Sequence, residues 1–295
     1  MNFREITPAD FDIVSPIFQN SGMENWEHCF PTVLVWSYRY NIKIAIEEST
    51  VFLRFTEENC NHYIYPAGKL DEKKSIEMIL ADAKEQGKKA FIYGMNEDKM
   101  NFLKENFPDT FEIKEDRDDE DYIYLSDDLI NLTGKKYQKK RNHISKFKRD
   151  YPDYKYISMS GENLHRAKEF EKRWSLEYAD EDNPDLAAEA KGIARLLDNF
   201  EKMNLMGAMI EVDGKIAAMS IAAKISDDMV DVIVEKARHS TDSAYAMINR
   251  EFAADKFADY KYINREDDMG LEGLRKAKMS YFPYEIQKKY TACEI

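Results

Sequence analysis

Cysteine and histidine are scarce in this sequence, and their scarcity limits the metal and disulfide chemistry that it can support. The three cysteines, Cys29, Cys60 and Cys293, are widely separated among the 295 residues and form no Cys-x-x-Cys pair. The five histidines form no His-Glu-x-x-His pattern. We therefore expect free thiols in a reducing compartment and no zinc site.

A long apolar run is also missing. The most apolar stretch, residues 31–38, falls well short of the roughly 20 residues needed to span a bilayer. The opening residues MNFREITPADFD include acidic side chains and no apolar signal core. These absences predict a cytoplasmic protein with no transmembrane anchor.

Positive charge is in deficit, since 43 lysines and arginines face 56 aspartates and glutamates, for a net charge of −13. Taken whole, this charge opposes non-specific binding to nucleic acid or to an anionic membrane. Hydrophobic residues nevertheless make up 43% of the sequence and aromatic residues 13%, which excludes general disorder. A length of 295 residues suits two domains.

Residues 1–130 alternate short strands with helices, which predicts an N-terminal lobe of mixed architecture. Thr7 and Asp10 are typical helix-start residues before an apolar pattern of helical spacing. The acidic run 115–121 predicts a solvated turn, and the loop 127–134 is the expected boundary. The predicted strands are 42–46, 51–55, 62–65, 89–93, 111–113 and 122–125, and further predicted helices are 71–86 and 98–106.

Residues 131–295 predict a second mixed lobe. The Asp213-Gly214 dipeptide between two apolar runs is a strong hairpin signal. Because both lobes combine strands, a hairpin and a crossover helix, we expect an α/β (α+β) fold with a mixed sheet flanked by helices in each lobe. The predicted strands are 154–159, 207–212, 215–225, 229–235 and 260–264, and the predicted helices are 135–150, 162–177, 185–203, 243–257 and one after Gly270.

Four segments resemble a known family. They are residues 264–283 (NREDDMGLEGLRKAKMSYFP), 137–147 (YQKKRNHISKF), 234–237 (VEKA) and 247–252 (MINREF). They resemble bacterial proteins related to the C-terminal domain of phosphatidylglycerol lysyltransferases, which are similar in turn to Fem-type peptidoglycan transferases. The resemblance implies a tandem, duplicated pair of GNAT-like acyltransferase domains. It also implies transfer of an aminoacyl group from charged tRNA to an amine or a lipid hydroxyl, with no permanently bound cofactor.

The acidic residues after the predicted strand 260–264 are the first candidates for catalysis. Ligands of open α/β sheets commonly bind beyond strand ends, where a carboxylate can accept a proton from an attacking amine. We prefer Asp268 for this role and place Glu266 second; the alternative is that both acids cap the next helix. The neighbouring candidates for binding substrate or phosphate are Asn264, Arg265, Gly270, Arg275 and Tyr281.

The helix after Gly270 adds two cations, Arg275 and Lys278, that can hold a phosphate or a developing oxyanion. By resemblance, Lys278 matches the lysine of the Fem-type motif and would stabilise negative charge as the ester is cleaved. Ala277 stands where that motif has phenylalanine. The structural alternatives are an exposed helix lysine at position 278 and a buried core tyrosine at position 281.

A basic helix is predicted over residues 135–149. Its cations are Lys135, Lys136, Lys139, Lys140, Arg141, Lys146, Lys148 and Arg149. In a chain of net charge −13, this patch can contact a tRNA acceptor stem, a phosphorylated small molecule or an anionic membrane, and Lys139, Lys140, Arg141 and Asn142 are the candidates for that contact. The alternative is a solvated face that answers the acidic run 115–121.

The segment 235–245 is the third candidate. In acyl-CoA-dependent relatives of the implied fold, a glycine-rich turn holds a pyrophosphate on backbone N–H groups at a helix N-terminus. The equivalent turn here offers Arg238, Ser240 and Ser243 but no glycine, which counts against acetyl-CoA. Glu235 is a further candidate base, with a salt bridge to Lys236 or Arg238 as the alternative.

Three functions follow from the sequence. The first is aminoacyl transfer from charged tRNA to a small-molecule or lipid acceptor. The second is acyl-CoA-dependent N-acyl transfer. The third is a non-catalytic binding protein on the same scaffold, because fold resemblance alone does not establish activity.

Overall fold

The computed structural model describes residues 1–57, 60–178 and 184–295. The first of its two mixed sheets has the strand order β1-β2-β3-β4-β5-β14-β6. Helices α1 (Phe11–Gln19), α2 (Phe30–Tyr40), α3 (Glu72–Glu85) and α4 (Glu97–Asn106) accompany this sheet. Its strands are β1 (Arg4–Glu5), β2 (Lys43–Glu47), β3 (Thr50–Glu57), β4 (Cys60–Gly68), β5 (Lys89–Met95), β6 (Phe111–Glu115) and β14 (Tyr290–Glu294).

The second sheet has the order β13-β7-β12-β11-β10-β9-β8. Its strands are β7 (Asp121–Leu125), β8 (Lys155–Ser158), β9 (Met206–Val212), β10 (Lys215–Lys224), β11 (Met229–Ala237), β12 (Tyr262–Asn264) and β13 (Glu285–Gln287). The helices of this half are α5 (Ser126–Asn131), α6 (Gln138–Asp150), α7 (Leu164–Glu177), α8 (Pro184–Asp198), α9 (Ala244–Lys256) and α10 (Glu272–Met279). None of the described helices is long and apolar enough to cross a membrane.

The two sheets repeat one plan. In the first, β3 and β4 are antiparallel, and β4 pairs in parallel with β5 after helix α3. In the second, β10 and β11 are antiparallel, and β11 pairs in parallel with β12 after helix α9. This repetition confirms the expected pair of mixed sheets flanked by helices.

Each sheet contains one internal strand that comes from the other half of the chain. Strand β14 lies between β5 and β6 of the first sheet, and β7 lies between β12 and β13 of the second. A cut at residue 130 would therefore leave each sheet without an internal strand. The division into lobes 1–130 and 131–295 stays a prediction, and the two sheets are interwoven rather than sequential.

Several local signals of the sequence form the expected structures. The Asp10 carboxylate accepts from the Thr7 amide at 2.8 Å, directly before α1, and Asp71 caps α3 by accepting from the Lys74 amide at 3.0 Å. The Asp213-Gly214 turn joins the antiparallel strands β9 and β10. In each case a short polar residue satisfies free backbone N–H groups, or a glycine supplies the positive φ of the turn.

Other elements differ from the prediction. The apolar stretch 31–38 lies in α2, which is buried over most of its length because it packs against α8. A Cβ at Gly192 of α8 would lie 2.5 Å from the Val35 carbonyl oxygen, so glycine permits this close crossing. Strand β4 continues through Pro66, and the loop expected at 127–134 contains α5.

The acidic run 115–121 is not a wholly solvated turn, and that prediction is wrong at its end. Glu120 and Asp121 are 4% and 0% exposed. Asp121 is buried because it begins β7 and pairs with Lys289 at 2.9 Å. Only the earlier residues of the run lie in an exposed 3-10 turn.

Candidate functional site

An opening between β11 and β12 defines the candidate site. The two strands are paired over three positions, the last of which joins Asp231 to Asn264. Beyond this point β11 continues to Ala237 along β10, whereas the chain after β12 follows β7, where the Arg265 amide donates to the Tyr122 carbonyl at 3.0 Å. The strands therefore separate, and side chains of both can face a substrate between them.

Arg265 is the central side chain at this opening. Its Nη2 donates to Glu235 Oε1 at 2.8 Å, and its guanidinium lies 5.0 Å from the Tyr281 ring centre and 5.6 Å from that of Tyr124. The Asn249 amide of α9 donates to the other Glu235 oxygen at 2.9 Å. The Arg265 Nη1 atom is buried and has no hydrogen-bond partner among the described residues. Since such donors are usually satisfied, this unpaired N–H group marks the position at which a ligand oxygen would complete the site. We call Arg265, Glu235, Asn249, Tyr124, Tyr281 and Lys140 the Arg265 centre.

Lys140 joins this centre from the basic helix. Its ammonium lies 3.4 Å from the centre of the Tyr281 ring and donates to Ser280 Oγ at 2.7 Å. Burial, together with the positive charge of Arg265, lowers the pKa of Lys140 to about 8, although Glu235 partly opposes this shift. A lysine with this pKa can hold or release a proton near neutral pH.

Lys278 lies behind the centre rather than in the opening. Its ammonium donates to the Arg265 carbonyl at 2.5 Å and to the Asp267 carbonyl, and the residue is 8% exposed. Burial lowers the pKa of Lys278, although the nearby Glu266 and Asp267 oppose that effect. This geometry fixes the turn that carries Arg265. Direct stabilisation of an oxyanion by Lys278 stays a prediction.

Asp268 is held in a structural ion pair. Its carboxylate accepts two 2.8 Å hydrogen bonds from Arg275 and one of 2.5 Å from the Tyr122 hydroxyl. The Gly270 amide donates to it at 3.0 Å. These bonds, led by that of Arg275, lower the pKa of Asp268 to about 2. A carboxylate so engaged is a poor proton acceptor, and the geometry instead favours the alternative of an acid that shapes the start of α10.

Glu266 and Asp267 belong to a different group, the buried ionic cluster between the two sheets. Burial and the charge of Asp231 raise the pKa of Glu266 well above its usual range. Asp267 accepts from the Trp26 indole at 2.9 Å, and Asn264 donates to Asp121 at 2.8 Å. The cluster consists of Glu27, Asp121, Asp231, Glu266, Asp267, Lys278 and Lys289.

This cluster gives a prediction for stability against pH. Burial, the largest cause in both cases, raises the pKa of Glu27 to about 8 and that of Asp231 to about 7. The folded state therefore binds protons that the unfolded state has released, and this contribution to stability is lost as pH rises through 7 and 8. We expect the free energy of unfolding to fall by on the order of 1 to 2 kcal/mol between pH 6.5 and 8.

Urea titrations at several pH values check this expectation. The window starts at 6.5 because burial lowers the pKa of His28 to about 4, and the opposing proton uptake by the unfolded histidine is half complete at about pH 6.5 and fades above it. The window ends at 8 because the lowered pKa of Lys140 has the opposite effect above it. Asp231→Asn should flatten the profile. A stability that is level or rises across the window would contradict the assignment.

The turn 237–244 carries the remaining predicted phosphate ligands. Ser243 adopts a positive φ of 64° just before α9, and its hydroxyl lies 3.2 Å from the His143 ring. Arg238 has no ion-pair partner among the described residues, and Ser240 lies two residues further along the turn. Asp242 pairs with Lys146 beside the start of α9, which places a negative charge where a pyrophosphate would lie.

The basic helix is largely neutralised by local acids. Lys136 pairs with Asp128, and Lys148 pairs with Glu251. Lys146 pairs with both Asp242 and Asp150, and Arg149 also pairs with Asp150. None of these acids belongs to the run 115–121, so the prediction that this acidic run balances the charge of the basic helix is wrong. Arg141 holds the loop before α6 by donating to the Leu132 and Gly134 carbonyls. Lys135, Lys139 and Asn142 are exposed, and in the described part of the chain the two lysines have no ion-pair partner.

The structure thus brings Glu235, Arg265, Tyr281 and Lys140 together and leaves the other predicted residues elsewhere. Sequence reasoning missed Asn249, Tyr124 and Lys289. Asn249 lies in the segment 247–252, which resembles the family. Its position in α9 brings its side chain to Glu235. Nothing in the local sequence indicates the burial of Lys289, because the adjacent residue, Lys288, is also a lysine and is exposed.

The two mixed sheets and their repeated plan define a fold of the tandem GNAT-like class. Within that class, the chain belongs to the family described as phosphatidylglycerol lysyltransferase, C-terminal, whose profile matches residues 19–293. The family resemblance of the four sequence segments is therefore confirmed.

Solved structures share this fold. A conserved protein of unknown function from Bacteroides thetaiotaomicron is 35% identical, with a TM-score of 0.93 over 100% of both chains. L-PGS from Bacillus licheniformis is 15% identical, with a TM-score of 0.69 over 99% of this chain and 93% of that one. FemX shares the fold at 10% identity and a TM-score of 0.59, over 99% and 97% of the two chains.

A curated relative, an uncharacterized protein of Mycoplasmoides gallisepticum, is 22% identical over 172 residues. The match covers 57% of this chain and 54% of the relative, so it spans about half of the relative's length.

Proposed function

We propose that this protein takes an aminoacyl group from charged tRNA and passes it to an amine or a hydroxyl in the opening between β11 and β12. One observation carries the proposal. The basic helix α6 delivers Lys140 to the Arg265 centre, where the Arg265 Nη1 donor is buried and unpaired. The family description, phosphatidylglycerol lysyltransferase, favours an aminoacyl donor and includes a lipid hydroxyl among the acceptors.

The chemistry follows from the charges at the centre. The acceptor nitrogen or oxygen attacks the carbonyl carbon of the aminoacyl ester, and the carbonyl oxygen becomes negatively charged. The free N–H of Arg265 and the ammonium of Lys140 stabilise that oxygen. Glu235 receives the proton of the acceptor and passes it to the departing ribose oxygen of the tRNA as the ester bond breaks. Positioning supplies much of the rate, because the ester is already activated.

Helix α6 and the 3-10 turn before it carry the cations that favour an RNA donor. Lys135 and Lys139 are exposed and unpaired within the described residues, near Lys140 and in the same basic stretch. Their charges are therefore available to RNA phosphates, whereas most other cations of the helix are occupied. An overall charge of −13 requires such a local patch for any contact with RNA.

Replacing Lys139 with alanine is expected to weaken binding of charged tRNA about threefold to tenfold and to reduce the salt slope of log Kd by about one. Fluorescence anisotropy at several salt concentrations measures both quantities. Lys148→Ala is the matched control, because Lys148 lies on the same helix but pairs with Glu251 at 3.5 Å. Equal effects of the two substitutions would remove α6 from the RNA contact.

A second donor, acyl-CoA, is favoured by one observation. The opening leads through the turn 237–244 to the N-terminus of α9, where backbone N–H groups can hold an anion. Asp242 at that turn opposes a pyrophosphate, and for this reason we place acyl-CoA second.

Thermal shift against both donors separates the candidates. A shift with charged tRNA that fades with salt supports the proposal. A shift with acetyl-CoA alone transfers the assignment to the second donor. If neither donor produces a shift, the scaffold acts as a binding protein and aminoacyl transfer is refuted.

A further inference from the structure

A second cavity lies on the opposite face of the second sheet from the Arg265 centre. It has a volume of about 190 Å³ and is formed by one face of α7, the turn before β10 and the residue after β11. Helix α7 contributes Arg166, Phe170 and Arg173, which share a face because they are three or four residues apart. Lys215 and Arg238 complete the wall.

The cavity is strongly cationic. Arg166, Arg173, Lys215 and Arg238 line it together with a single acid, Glu169. Arg173 pairs with Glu169, and Arg166 pairs with Glu211. Lys215 and Arg238 have no ion-pair partner in the ranges that the structure describes. The two unpaired cations repel each other, and an anion that enters the cavity would relieve this repulsion.

The backbone around the cavity is fixed. The Arg238 amide donates to the Ala217 carbonyl at 2.8 Å, and the Trp174 indole of α7 donates to the Ala237 carbonyl at 3.0 Å. Helix α7 is therefore anchored to the end of β11. Guanidinium groups carried on this fixed backbone suit the geometry of phosphate oxygens.

The size of the cavity limits the ligand. Sites for drug-sized molecules occupy roughly 300–1,000 Å³, whereas this cavity has about 190 Å³. A nucleic-acid backbone is bound along an extended charged groove, whereas the four cations here line one small pocket that is open to solvent. The dimensions fit one phosphate group with a small substituent.

We propose that this cavity binds the phosphate group of a small phosphomonoester. The site lies at the same end of the sheet as the opening between β11 and β12, since Arg238 follows directly on Ala237 of β11. It is independent of the identity of the acyl donor and holds whether or not the transfer reaction proposed above takes place.

Isothermal titration of the full chain with glycerol 3-phosphate, inorganic phosphate and glycerol tests the proposal. Saturable binding of glycerol 3-phosphate, with no binding of glycerol, is the expected result. Binding of inorganic phosphate alone identifies a site for the free ion and overturns the phosphomonoester assignment. A single-stranded RNA of 12 nucleotides that binds where glycerol 3-phosphate does not would make the cavity part of an RNA path, which also refutes it.

Charge reversal locates the binding. Lys215→Glu and Arg238→Glu should each weaken it by about tenfold or more, as expected for loss of a charge-assisted contact. Lys73→Glu is the control, because Lys73 is an exposed lysine of helix α3, which packs with the first sheet and not with the second. Lys215 is exposed beside a turn, so Lys215→Glu should keep its melting temperature. Phosphate binding unchanged in both cavity variants would exclude this cavity.

Discussion

Arg265→Ala is expected to lower the rate of aminoacyl transfer by about 10²–10³-fold. The substitution removes the unpaired Nη1 donor and also leaves the Glu235 carboxylate with only Asn249 as a partner. The rate is measured in a single turnover, as loss of a radiolabelled aminoacyl group from charged tRNA in the presence of amine and lipid acceptors.

Two further substitutions separate chemistry from folding. Arg265→Lys keeps the charge but not the planar fork that reaches Glu235 and the two tyrosines, so it should recover little activity. Arg275→Ala breaks the ion pair with the fully buried Asp268 and should lower stability. It lies outside the Arg265 centre and should leave most of the transfer rate. If Arg265→Ala retains the wild-type rate while remaining folded, the opening between β11 and β12 is not the site of transfer.

Lys289→Met is expected to reduce the free energy of unfolding by about 3–5 kcal/mol. Lys289 is 2% exposed and forms 2.9 Å ion pairs with Glu27 and Asp121. Its removal leaves two buried carboxylates without their cation. The loss should be larger at pH 8 than at pH 6, because Glu27, whose pKa is about 8, can be neutralised by a proton at the lower pH.

The neighbouring lysine provides the control. Lys288 pairs with Glu115, but its side chain is 59% exposed, so Lys288→Ala should change stability by no more than about 1 kcal/mol. Adding Glu27→Gln to Lys289→Met should recover part of the loss, since one of the two stranded charges disappears. Equal stability of the two lysine variants in urea titration would show that the cluster does not hold the sheets together.

The sequence predicts the elements that local signals determine. Asp71 caps α3, and Asp213-Gly214 forms the hairpin, because the free energy of each comes from residues a few positions apart. Strands β13 and β14 were not predicted. Their pairing with β7, and with β5 and β6, depends on residues far away in the chain, and a short pattern carries no information about such partners.

The site was predicted in part for the same reason. Glu235, Arg265 and Tyr281 lie in segments with a family resemblance, and the structure brings them together. The preference for Asp268 rested on its position after a strand. The sequence could not reveal that Arg275, seven residues later, neutralises it. Charge alone likewise did not distinguish the occupied lysines of α6 from Lys140, because Asp242 and Glu251, which pair with Lys146 and Lys148, come from other parts of the chain.

The position of β14 has a consequence for biosynthesis. Residues 290–294 insert between β5 and β6, which are made some two hundred residues earlier. On the ribosome, one edge of β5 therefore lacks its partner strand until β14 has been synthesised. Contacts of such large sequence separation slow folding, and the exposed strand edge is a template for wrong pairing in the meantime. The edge of β5 thus stays unpaired until residues 290–294 have been made, even though the first sheet is formed mainly by the first 115 residues.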